Sequence, residues 1–376
     1  MDFSIVIPTW NRSNLLHALL NSLFEERKRY MGGNTEVIVV DSSKDLEKEK
    51  IMASCYKYDA IYMEGDDSVR KKRNKGIKAS QYDYILFIDS DVVVEKGLLD
   101  EYVKGYQNNR HVKLGGILGY TEFVGKKTFW WKILESTSLI NSFSFARDYP
   151  FHSWTIGNNV SFKKSVLEEI GMFEENFPFK LGGDDLDMTY RVTKAGYMIG
   201  SAPNAITYHS RETWNSFKAI HNRAKRWGTM ERIICNRHKE LYKRVIPKNY
   251  VLITLALIVS ALVSAISHNI LPVISVGALA IWDSIWAYVK RVKSKGWCNP
   301  LYFYCAMGVQ GIYEFYRIKQ SLKERSLGAF YCGQVFNRFQ IKYGMKDDSA
   351  RIWELLLSYL IIFVIVNIVA FLIERM

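Results

Sequence analysis

The chain has 376 residues, 48% of them hydrophobic and 24% charged, a composition that argues against a disordered or collagen-like protein. Its 51 Lys and Arg outnumber 38 Asp and Glu and give a net charge of +13. Five cysteines without a CxxC pair argue against a disulfide framework or a zinc finger, and we expect no signal peptide because the first residues enter a strand pattern directly.

The N-terminal part of the chain alternates strand and helix patterns. Short apolar runs rich in β-branched residues predict strands at residues 3–7, 36–40, 59–63 and 84–88, and helical spacing predicts helices at 14–28 and 68–80. This alternation is typical of a parallel sheet covered on both faces. Polar residues follow three strands, at Pro8-Thr9, Asp41 and Asp89–Asp91. We expect them to converge in one cleft at the carboxyl ends of the sheet.

Asp89 and Asp91 form the pattern with the clearest chemistry. Two carboxylates at i and i+2 just past a strand end can hold Mg²⁺ or Mn²⁺, which prefer oxygen ligands and also bind phosphate. The sequence has neither a GxxxxGK[ST] loop nor a GxGxxG turn, so a bound nucleotide would need another way to balance its diphosphate charge. The alternative is a solvated turn. The position after the buried run Tyr84–Ile88 favours the metal site.

Several motifs resemble those of the family 2 glycosyltransferases. In order they are Ile5–Arg12 (IVIPTWNR), Val37–Asp41 (VIVVD), Arg73–Ile77 (RNKGI), Ile85–Asp91 (ILFIDSD), Gly157–Phe162 (GNNVSF), Gly171–Phe173 (GMF), Gly182–Asp187 (GGDDLD) and Arg191 with Gly196-Tyr197. The resemblance covers about residues 3–235. It implies a GT-A fold, a nucleotide-sugar donor, a divalent metal and inversion at the anomeric carbon.

The resemblance also implies roles for individual residues. Those implied to bind the donor are Pro8, Thr9, Arg12 and Asp41 around the base and ribose, Arg73 and Asn74 near the nucleotide, and Asp89 and Asp91 at the ribose and diphosphate. Asp91 would be the direct metal ligand, with Asp89 beside it. His209 matches a position that completes the metal site in some members of the family, and a structural histidine near a strand end is the competing interpretation.

Asp185 matches the carboxylate that serves as general base in this family, where a Glu-Asp pair stands in place of Asp184-Asp185. A single displacement needs one base within hydrogen-bond reach of the acceptor hydroxyl. Gly182-Gly183 precede a predicted helix start, so Asp184 has the alternative role of an N-cap. Asp184 is retained as the second candidate for the base.

The acceptor side is expected to include Asn159, Trp154, Arg226 and Trp227. Trp154 offers an aromatic platform for a sugar, with core packing as the alternative. Arg226-Trp227 resemble the end of the QxxRW element of processive polysaccharide synthases, although Arg223 replaces the Gln. The pair could equally lie on a basic amphipathic helix at a membrane surface. The replacement of that Gln by Arg223 weakens the interpretation of the protein as a processive polymerase.

The C-terminal third has the charge pattern of a membrane region. Residues 213–248 carry ten Lys and Arg against two acids and are predicted to form basic amphipathic interfacial helices. Long uncharged runs predict spans at about 249–267, 270–289 and 352–373, with 296–316 interfacial or re-entrant. The positive-inside rule places the soluble domain on the cytoplasmic side. Anionic lipid suits the basic stretch better than nucleic acid because the stretch lies beside the membrane.

Together these patterns predict an α/β GT-A domain at 1–212, with a nucleotide half at 1–100 and an acceptor half at 101–212, followed by an α-helical transmembrane region at 249–376. The predicted function is inverting transfer of a sugar from a nucleotide-diphosphate sugar, with UDP preferred to GDP, to a lipid-linked or membrane-proximal hydroxyl. The alternatives are a processive polysaccharide synthase and a non-catalytic binding protein of the same fold. No nucleic-acid partner is expected. The predicted location is the cell membrane, with several spans.

Overall fold

The computed structural model describes residues 1–137, 139–180, 182–239, 242–244, 250–330 and 332–335. The chain forms two compact units. As far as these stretches are described, the first comprises Met1–Thr128 and Leu139–Asn215, and the second comprises Phe129–Ser138 and Ser216–Phe336. The first unit contains every predicted site residue except Arg226 and Trp227.

Both units are built from regular elements. The strands are β1 (Phe3–Thr9), β2 (Thr35–Asp41), β3 (Ile61–Glu64), β4 (Tyr84–Ile88), β5 (Val92–Val94), β6 (Leu114–Val124), β7 (Phe151–His152), β8 (Asn159–Lys163), β9 (Met198–Ser210), β10 (Tyr242–Arg244) and β11 (Cys332–Val335). The helices are α1 (Ser13–Arg29), α2 (Asp45–Lys57), α3 (Val69–Ala79), α4 (Leu98–Asn108), α5 (Phe129–Glu135), α6 (Phe145–Asp148), α7 (Lys164–Glu169), α8 (Asp184–Lys194), α9 (Phe217–Arg237), α10 (Tyr250–Ser267), α11 (Leu271–Lys295) and α12 (Pro300–Lys323). Of these, α5, α9–α12, β10 and β11 belong to the second unit.

The first unit contains a nine-stranded sheet in the order β3-β2-β1-β4-β8-β6-β9-β5, with β7 paired to β9. The first four strands are parallel, as the alternating pattern predicts. Beyond β4 the sheet is mixed, because β8 runs antiparallel to both β4 and β6 while β6 and β9 are parallel. The GT-A prediction is confirmed. The sheet is mainly parallel only in its first half, since long connections rather than local patterns set the later strand directions.

Alternate residues of β1 pack on opposite faces of the sheet. Ile5 and Ile7 belong to one buried cluster, and Val6 belongs to the other. Helix α1 covers the first face with four leucines at helical spacing, Leu16, Leu19, Leu20 and Leu23. Burial of each leucine contributes roughly 1.5–3 kcal/mol. The two clusters hold β1, β2 and β4 rigidly, and the site is formed where these strands end.

The second unit brings α9 and α12 into close contact. A Cβ atom placed on Gly228 of α9 would lie 2.2 Å from the carbonyl oxygen of Tyr313 on α12. Nearby, Arg317 Nε lies 3.1 Å from Glu231 Oε2, and both side chains are buried. Only a residue without a side chain allows the two backbones to approach this closely.

The predicted membrane runs are only partly matched by the structure. The runs at 249–267 and 270–289 form α10 and α11, and 296–316 lies within α12. Among the described residues, one helix is long and apolar enough to cross a bilayer, over Leu271–Lys293, and the apolar part of α10, Ile253–Ser267, is shorter. The multi-pass arrangement therefore lacks support here. The predicted span at 352–373 lies outside the described residues.

The basic stretch 213–248 differs from the predicted set of helices. Its main element is the 21-residue helix α9, which follows a short 3-10 turn at Glu212–Trp214. Tyr242–Arg244 instead form strand β10, which pairs antiparallel with β11. The partner strand lies about ninety residues further along the chain. The local charge pattern could not indicate such a distant pairing.

Candidate active site

The three polar strand ends lie side by side. Strand β1 pairs with both β2 and β4, and Thr9 is in register with Asp41. Asp89 is the first residue after β4. Parallel strands end at the same edge of a sheet, so these residues share one edge. The structure thus brings the predicted residues Pro8, Thr9, Asp41 and Asp89 to one edge of the sheet.

Asp91 is buried in a set of polar contacts. Its Oδ2 lies 2.8 Å from Arg12 Nη1 and accepts a hydrogen bond from the Thr213 hydroxyl at 3.2 Å. Its Oδ1 lies 3.4 Å from His209 Nε2. Strand pairing produces the last contact, because Val92 is in register with His209. Arg12, which was predicted at the base and ribose, therefore contacts the carboxylate that was predicted to face the diphosphate. No sequence pattern pointed to Thr213.

The imidazole of His209 is held in one orientation. Its Nδ1 donates to the carbonyl oxygen of Ser210 at 2.9 Å, because a carbonyl can only accept. Its Nε2 then faces Asp91 Oδ1. The rings of Phe123, Phe143 and Trp214 surround the imidazole at centroid distances of 5.0, 6.2 and 5.8 Å. The buried ring cannot turn freely.

His209 and Asp91 have the donor set of a divalent metal site. A histidine that ligates a metal commonly donates its other ring N–H to a carbonyl, as His209 does to Ser210. A carboxylate oxygen and an imidazole nitrogen suit Mn²⁺ and Mg²⁺ when phosphate oxygens complete the coordination. In the described part of the chain, no three His, Cys, Asp or Glu side chains cluster as ligands. The residues present fit a metal that is shared with a phosphate ligand.

Arg73 joins the two pairs of carboxylates. Its Nη2 lies 3.0 Å from Asp89 Oδ1, and its Nη1 lies 2.8 Å from Asp184 Oδ2. The same guanidinium donates to the carbonyl oxygen of Gly157 at 2.9 Å. A Cβ on Gly157 would lie 2.8 Å from Arg73 Nη1, so glycine is needed for this approach. Burial raises the pKa of Asp89, and the charge of Arg73 opposes that rise.

The residues before helix α8 position Asp184 and Asp185. Gly182 and Gly183 have φ values of +96° and +75°, a region that favours glycine. Arg70 donates to the carbonyl oxygen of Gly182 at 2.8 Å and thereby holds this turn. The N-cap is Gly183, and Asp184 is the first helical residue. The N-cap alternative for Asp184 is therefore wrong, because the chain enters the helix one residue earlier.

Asp184 and Asp185 have different surroundings. Asp184 is buried and contacts Arg73, and its Oδ1 accepts from the backbone N–H of Gly182 at 2.9 Å. Asp185 is half-buried and accepts from the backbone N–H of Gly157 at 3.2 Å. Burial, followed by the charge of Asp184, raises the pKa of Asp185 to about 6. Asp185 therefore has the properties of a general base poised near neutral pH.

Asn74 lies in the core rather than in the cleft. Its side-chain amide donates to the carbonyl oxygen of Phe173 at 2.9 Å and to Glu175 at 2.8 Å, and its Oδ1 accepts from the backbone N–H of Phe173. The amide is fully used by these hydrogen bonds. The structure gives Asn74 the role of fixing the Phe173 segment, and its predicted place near the nucleotide stays a prediction.

The residues that were predicted to line the base and ribose pocket are buried. Pro8, Thr9 and Asp41 are buried at the ends of β1 and β2. Asp41 Oδ1 accepts from the backbone N–H and hydroxyl of Ser43, and the Tyr62 hydroxyl lies 3.4 Å from Oδ2. Burial, followed by the charge of Asp41, raises the pKa of Tyr62 to about 12.

Lys72 is a residue that the motifs did not single out. Its Nζ donates to the carbonyl oxygen of Thr9 at 2.6 Å, and the side chain is buried. The only signal in the sequence was a lysine directly before the Arg73-Asn74 pair, within a run of basic residues.

The predicted acceptor-side residues do not form one surface. Asn159 is completely buried on β8, where it accepts from the Tyr102 hydroxyl at 2.8 Å and donates to the carbonyl oxygens of Tyr120 and Ala205. An acceptor role for Asn159 is contradicted, because its amide is used inside the sheet. Trp154 is half-buried and packs against Phe145 at 5.3 Å.

Arg226 and Trp227 lie on α9 in the second unit, half-buried. Their role on the acceptor side stays a prediction.

A sheet of this order, with carboxylates at the ends of β2 and β4 and a further pair at the start of α8, defines an α/β domain of the GT-A type. Residues 4–171 match the model of glycosyl transferase family 2. This match confirms the resemblance to family 2 that the motifs show.

Curated relatives resemble the same part of the chain. The chondroitin synthase of Pasteurella multocida is 24% identical over 56% of this chain and 25% of its own length. The chondroitin synthase of Escherichia coli is 27% identical over 55% of this chain and 34% of its own length. The chain thus matches about a quarter to a third of these relatives. A mannosyltransferase from Pyrobaculum calidifontis, solved with GDP-Man and Mn²⁺, is 15% identical with a TM-score of 0.47, over 87% of this chain and 85% of its own.

Proposed function

We propose that the protein is an inverting glycosyltransferase that moves a sugar from a nucleotide-diphosphate sugar to a hydroxyl acceptor. The observation that carries the proposal is the Arg73 bridge. One buried guanidinium contacts Asp89, which follows β4, and Asp184, which precedes the candidate base. A carboxylate with a raised pKa therefore lies in the same site as the carboxylates suited to the diphosphate.

Asp185 would act as the general base. Its carboxylate takes the proton of the acceptor hydroxyl while that oxygen forms a bond to the anomeric carbon. The bond between the anomeric carbon and the diphosphate oxygen breaks, and its electron pair leaves with the nucleoside diphosphate. One displacement inverts the configuration. The backbone N–H of Gly157 orients Asp185, and Arg73 fixes Gly157 from its carbonyl side.

Asp91 and His209 would hold Mn²⁺ or Mg²⁺, with Asp89 nearby. Such a cation supplies charge stabilisation to the leaving diphosphate when it is bound. Arg12 already contacts Asp91 at 2.8 Å and adds a second positive charge at this end of the site. The requirement for metal is part of the proposal.

The donor nucleotide is proposed to be UDP or GDP, with UDP preferred. Its base and ribose would bind at the strand ends where Thr9 and Asp41 lie. The acceptor is proposed to be lipid-linked or close to a membrane. Helix α11 supports this, since it is long and apolar enough to cross a bilayer. Lys290 and Lys293 lie over the ring of Trp286, a basic and aromatic end typical of a membrane interface. The cytoplasmic orientation and further spans are proposed from the sequence alone.

A processive polysaccharide synthase is the second candidate. The names of the curated relatives favour it, because both chondroitin synthases build polymers. The arginine in place of the Gln of the QxxRW element speaks against it. The length of the product distinguishes the two, since single transfer adds one sugar and a synthase makes a ladder of products.

The test uses the full-length chain, purified in detergent, with Mn²⁺ and a panel of nucleotide sugars. Release of nucleoside diphosphate is measured with and without membrane lipid extracts as acceptors. We expect release from one donor, loss of release in excess chelator, and loss in the Asp91→Asn variant. Binding of nucleotide sugars without any turnover would instead indicate a non-catalytic binding protein. Full activity in chelator would overturn the metal-dependent mechanism.

A further inference from the structure

Lys72 lies in an unusual position for a charged side chain. It is 3% exposed, and its stem passes beside Gly65, where an added Cβ would lie 3.2 Å from Lys72 Cγ. Its ammonium reaches the carboxyl end of β1 and donates to the carbonyl oxygen of Thr9 at 2.6 Å. Because Thr9 is in register with Asp41, the ammonium lies at the end of the site where the base was predicted.

The hydrogen-bonding capacity of the polar groups around the ends of β1 and β2 is only partly used. An ammonium has three N–H donors, and within the described residues Lys72 Nζ has one acceptor. In the same stretches, the buried hydroxyl oxygens of Thr9 and Ser42 have no hydrogen-bond partner. Buried polar groups are normally hydrogen-bonded, so exceptions call for an explanation. These two hydroxyls, on β1 and on the residue after β2, together with the partly used ammonium of Lys72 from α3, indicate a subsite for a polar ligand.

The charges around Lys72 show which ligand chemistry would fit. The negative groups that act on it are Asp41, Asp67 and Asp66, and the positive group is Arg12. Burial outweighs their attraction and lowers the pKa of Lys72 to about 8. The ammonium therefore carries a proton at neutral pH and can donate a further hydrogen bond to an acceptor such as a carbonyl oxygen.

The position of Lys72 separates the base from the diphosphate. The groups suited to diphosphate and metal, Asp91 with Arg12 and His209, follow β4 and lie on β9. Lys72 contacts the end of β1, and its stem lies beside Gly65, which is close to Val40 and Asp41 of β2. A phosphate at Lys72 would leave the Asp91 site unused, whereas a nucleobase there leaves the diphosphate free to reach it.

We propose that Lys72 is a specificity-determining residue that donates to a nucleobase carbonyl while Asp41 accepts the neighbouring ring N–H. This inference rests on the proposed function, because it assigns the base of the donor. Uracil and guanine both present a ring N–H next to a carbonyl. Cytosine and adenine present an amino group and a bare ring nitrogen at that edge, so both contacts would be mismatched. The site thus selects for a uracil or guanine nucleotide and against cytosine and adenine nucleotides.

The experiment is calorimetric binding of UDP, GDP, CDP and ADP to the full-length chain with Mn²⁺. All four share the diphosphate, so differences among them report the base. We expect UDP or GDP to bind about 10- to 100-fold more tightly than CDP and ADP, the size of one hydrogen bond to a charged group. Lys72→Met keeps the length of the side chain and removes the charge, so it should lower that ratio about 10-fold, and Asp41 should account for the preference that is left. The proposal is overturned if Lys72→Met keeps the ratio.

A matched control lies on the same helix. Lys75 also donates to a backbone carbonyl, that of Glu64, but it is exposed. Lys75→Met should leave all four affinities within about two-fold. An equal loss of the ratio in both variants would overturn the specific role of Lys72.

The wild-type protein provides an independent test if Lys72→Met fails to fold. The ratio of UDP or GDP affinity to CDP affinity should fall as pH rises through about 8, because the ammonium loses its proton. A ratio that does not change with pH overturns the proposal. Equal binding of all four nucleotides overturns it while leaving the proposed function intact. Failure of every nucleotide to bind overturns both.

Discussion

At the scale of single residues, Arg73 links the carboxylate that follows β4 to the segments that hold the proposed base. The Arg-Asn pair was predicted near the nucleotide, yet both side chains are buried and directed to protein groups. Arg73 contacts Asp184 and Gly157, and Gly157 in turn donates to Asp185. Burying an ion pair costs desolvation free energy, which its contacts must offset. A buried pair is therefore poor evidence that its role is to stabilise the fold. The arrangement is better explained by the orientation that it gives to Asp185.

The first prediction concerns Asp185. Asp185→Asn keeps the size of the side chain and removes the proton-accepting charge, so transfer should fall by ~10²–10⁴. Donor affinity should stay within a few-fold, because the donor is proposed to bind at the strand ends. Steady-state transfer assays and calorimetric donor binding measure the two effects separately.

Asp184→Asn is the matched control for Asp185→Asn. It removes the charge facing Arg73 and should lower Tm, whereas Asp185→Asn should raise Tm at neutral pH by removing a buried charge. Normal transfer in Asp185→Asn would place the base elsewhere. Loss of transfer confined to Asp184→Asn would exchange the two roles.

The second prediction is the pH dependence of transfer. Burial and Asp184 raise the pKa of Asp185 to about 6, so transfer should increase as pH rises through about 6 and the base loses its proton. The stability effect has the opposite sign. The folded state holds this proton more tightly than the unfolded chain, so Asp185 lowers the free energy of unfolding as pH rises from its unfolded pKa towards 6.

Rate profiles and thermal unfolding across this pH range check both signs. Asp185→Asn should remove the rise of Tm towards low pH. A transfer rate that is flat between about pH 5 and about pH 7 would rule out Asp185 as the titrating base.

At the scale of elements, the strands that depend on a local apolar pattern were predicted from the sequence. Strands β1, β2 and β4 are continuous apolar runs that end in polar residues, so their position and their shared edge could be read directly. The direction of β8 and the pairing of β10 with β11 depend on chain segments far apart in sequence. Lys72 was missed for a similar reason, since its contact with the Thr9 carbonyl forms only when α3 packs over the end of β1. The individual metal and base candidates were found, but Arg73 as their link was not.

The third prediction concerns the contact between α9 and α12. Gly228→Ala places a Cβ about 2.2 Å from the Tyr313 carbonyl oxygen, so the backbones must separate. Overpacking of this kind costs about 1–3 kcal/mol, which should appear as a lower Tm. Gly308→Ala on α12 is the control, because none of the described atoms lies within 4 Å of its added Cβ. That variant should be neutral or stabilising by up to about 1 kcal/mol. Equal Tm values for the two variants would contradict the close helix contact.

At the scale of the whole molecule, the chain contains a unit that matches the family 2 model over residues 4–171 and a second unit of long helices. The apolar stretch of α11 has 23 residues, about 35 Å at 1.5 Å per residue, against a bilayer core of about 30 Å. Its C-terminal end carries Lys290, Arg291 and Lys293 and is followed by Trp297, which is 76% exposed. Its N-terminal end follows Asn269 and has no charge nearby. This asymmetry predicts that the basic end faces the cytoplasm.

The last prediction is therefore a difference in sidedness between the two ends of α11. Single cysteines are introduced as Asn269→Cys and Trp297→Cys, both at exposed positions, after the native cysteines have been replaced. A membrane-impermeant maleimide added to right-side-out vesicles should label the Asn269→Cys protein and leave the Trp297→Cys protein unlabelled. Inverted vesicles should give the reverse result, and detergent should allow both to react. Labelling of both positions from one side would show that α11 does not cross the bilayer. Crossing with the opposite labelling would place the basic end outside, against the charge rule that assigned the catalytic domain to the cytoplasm.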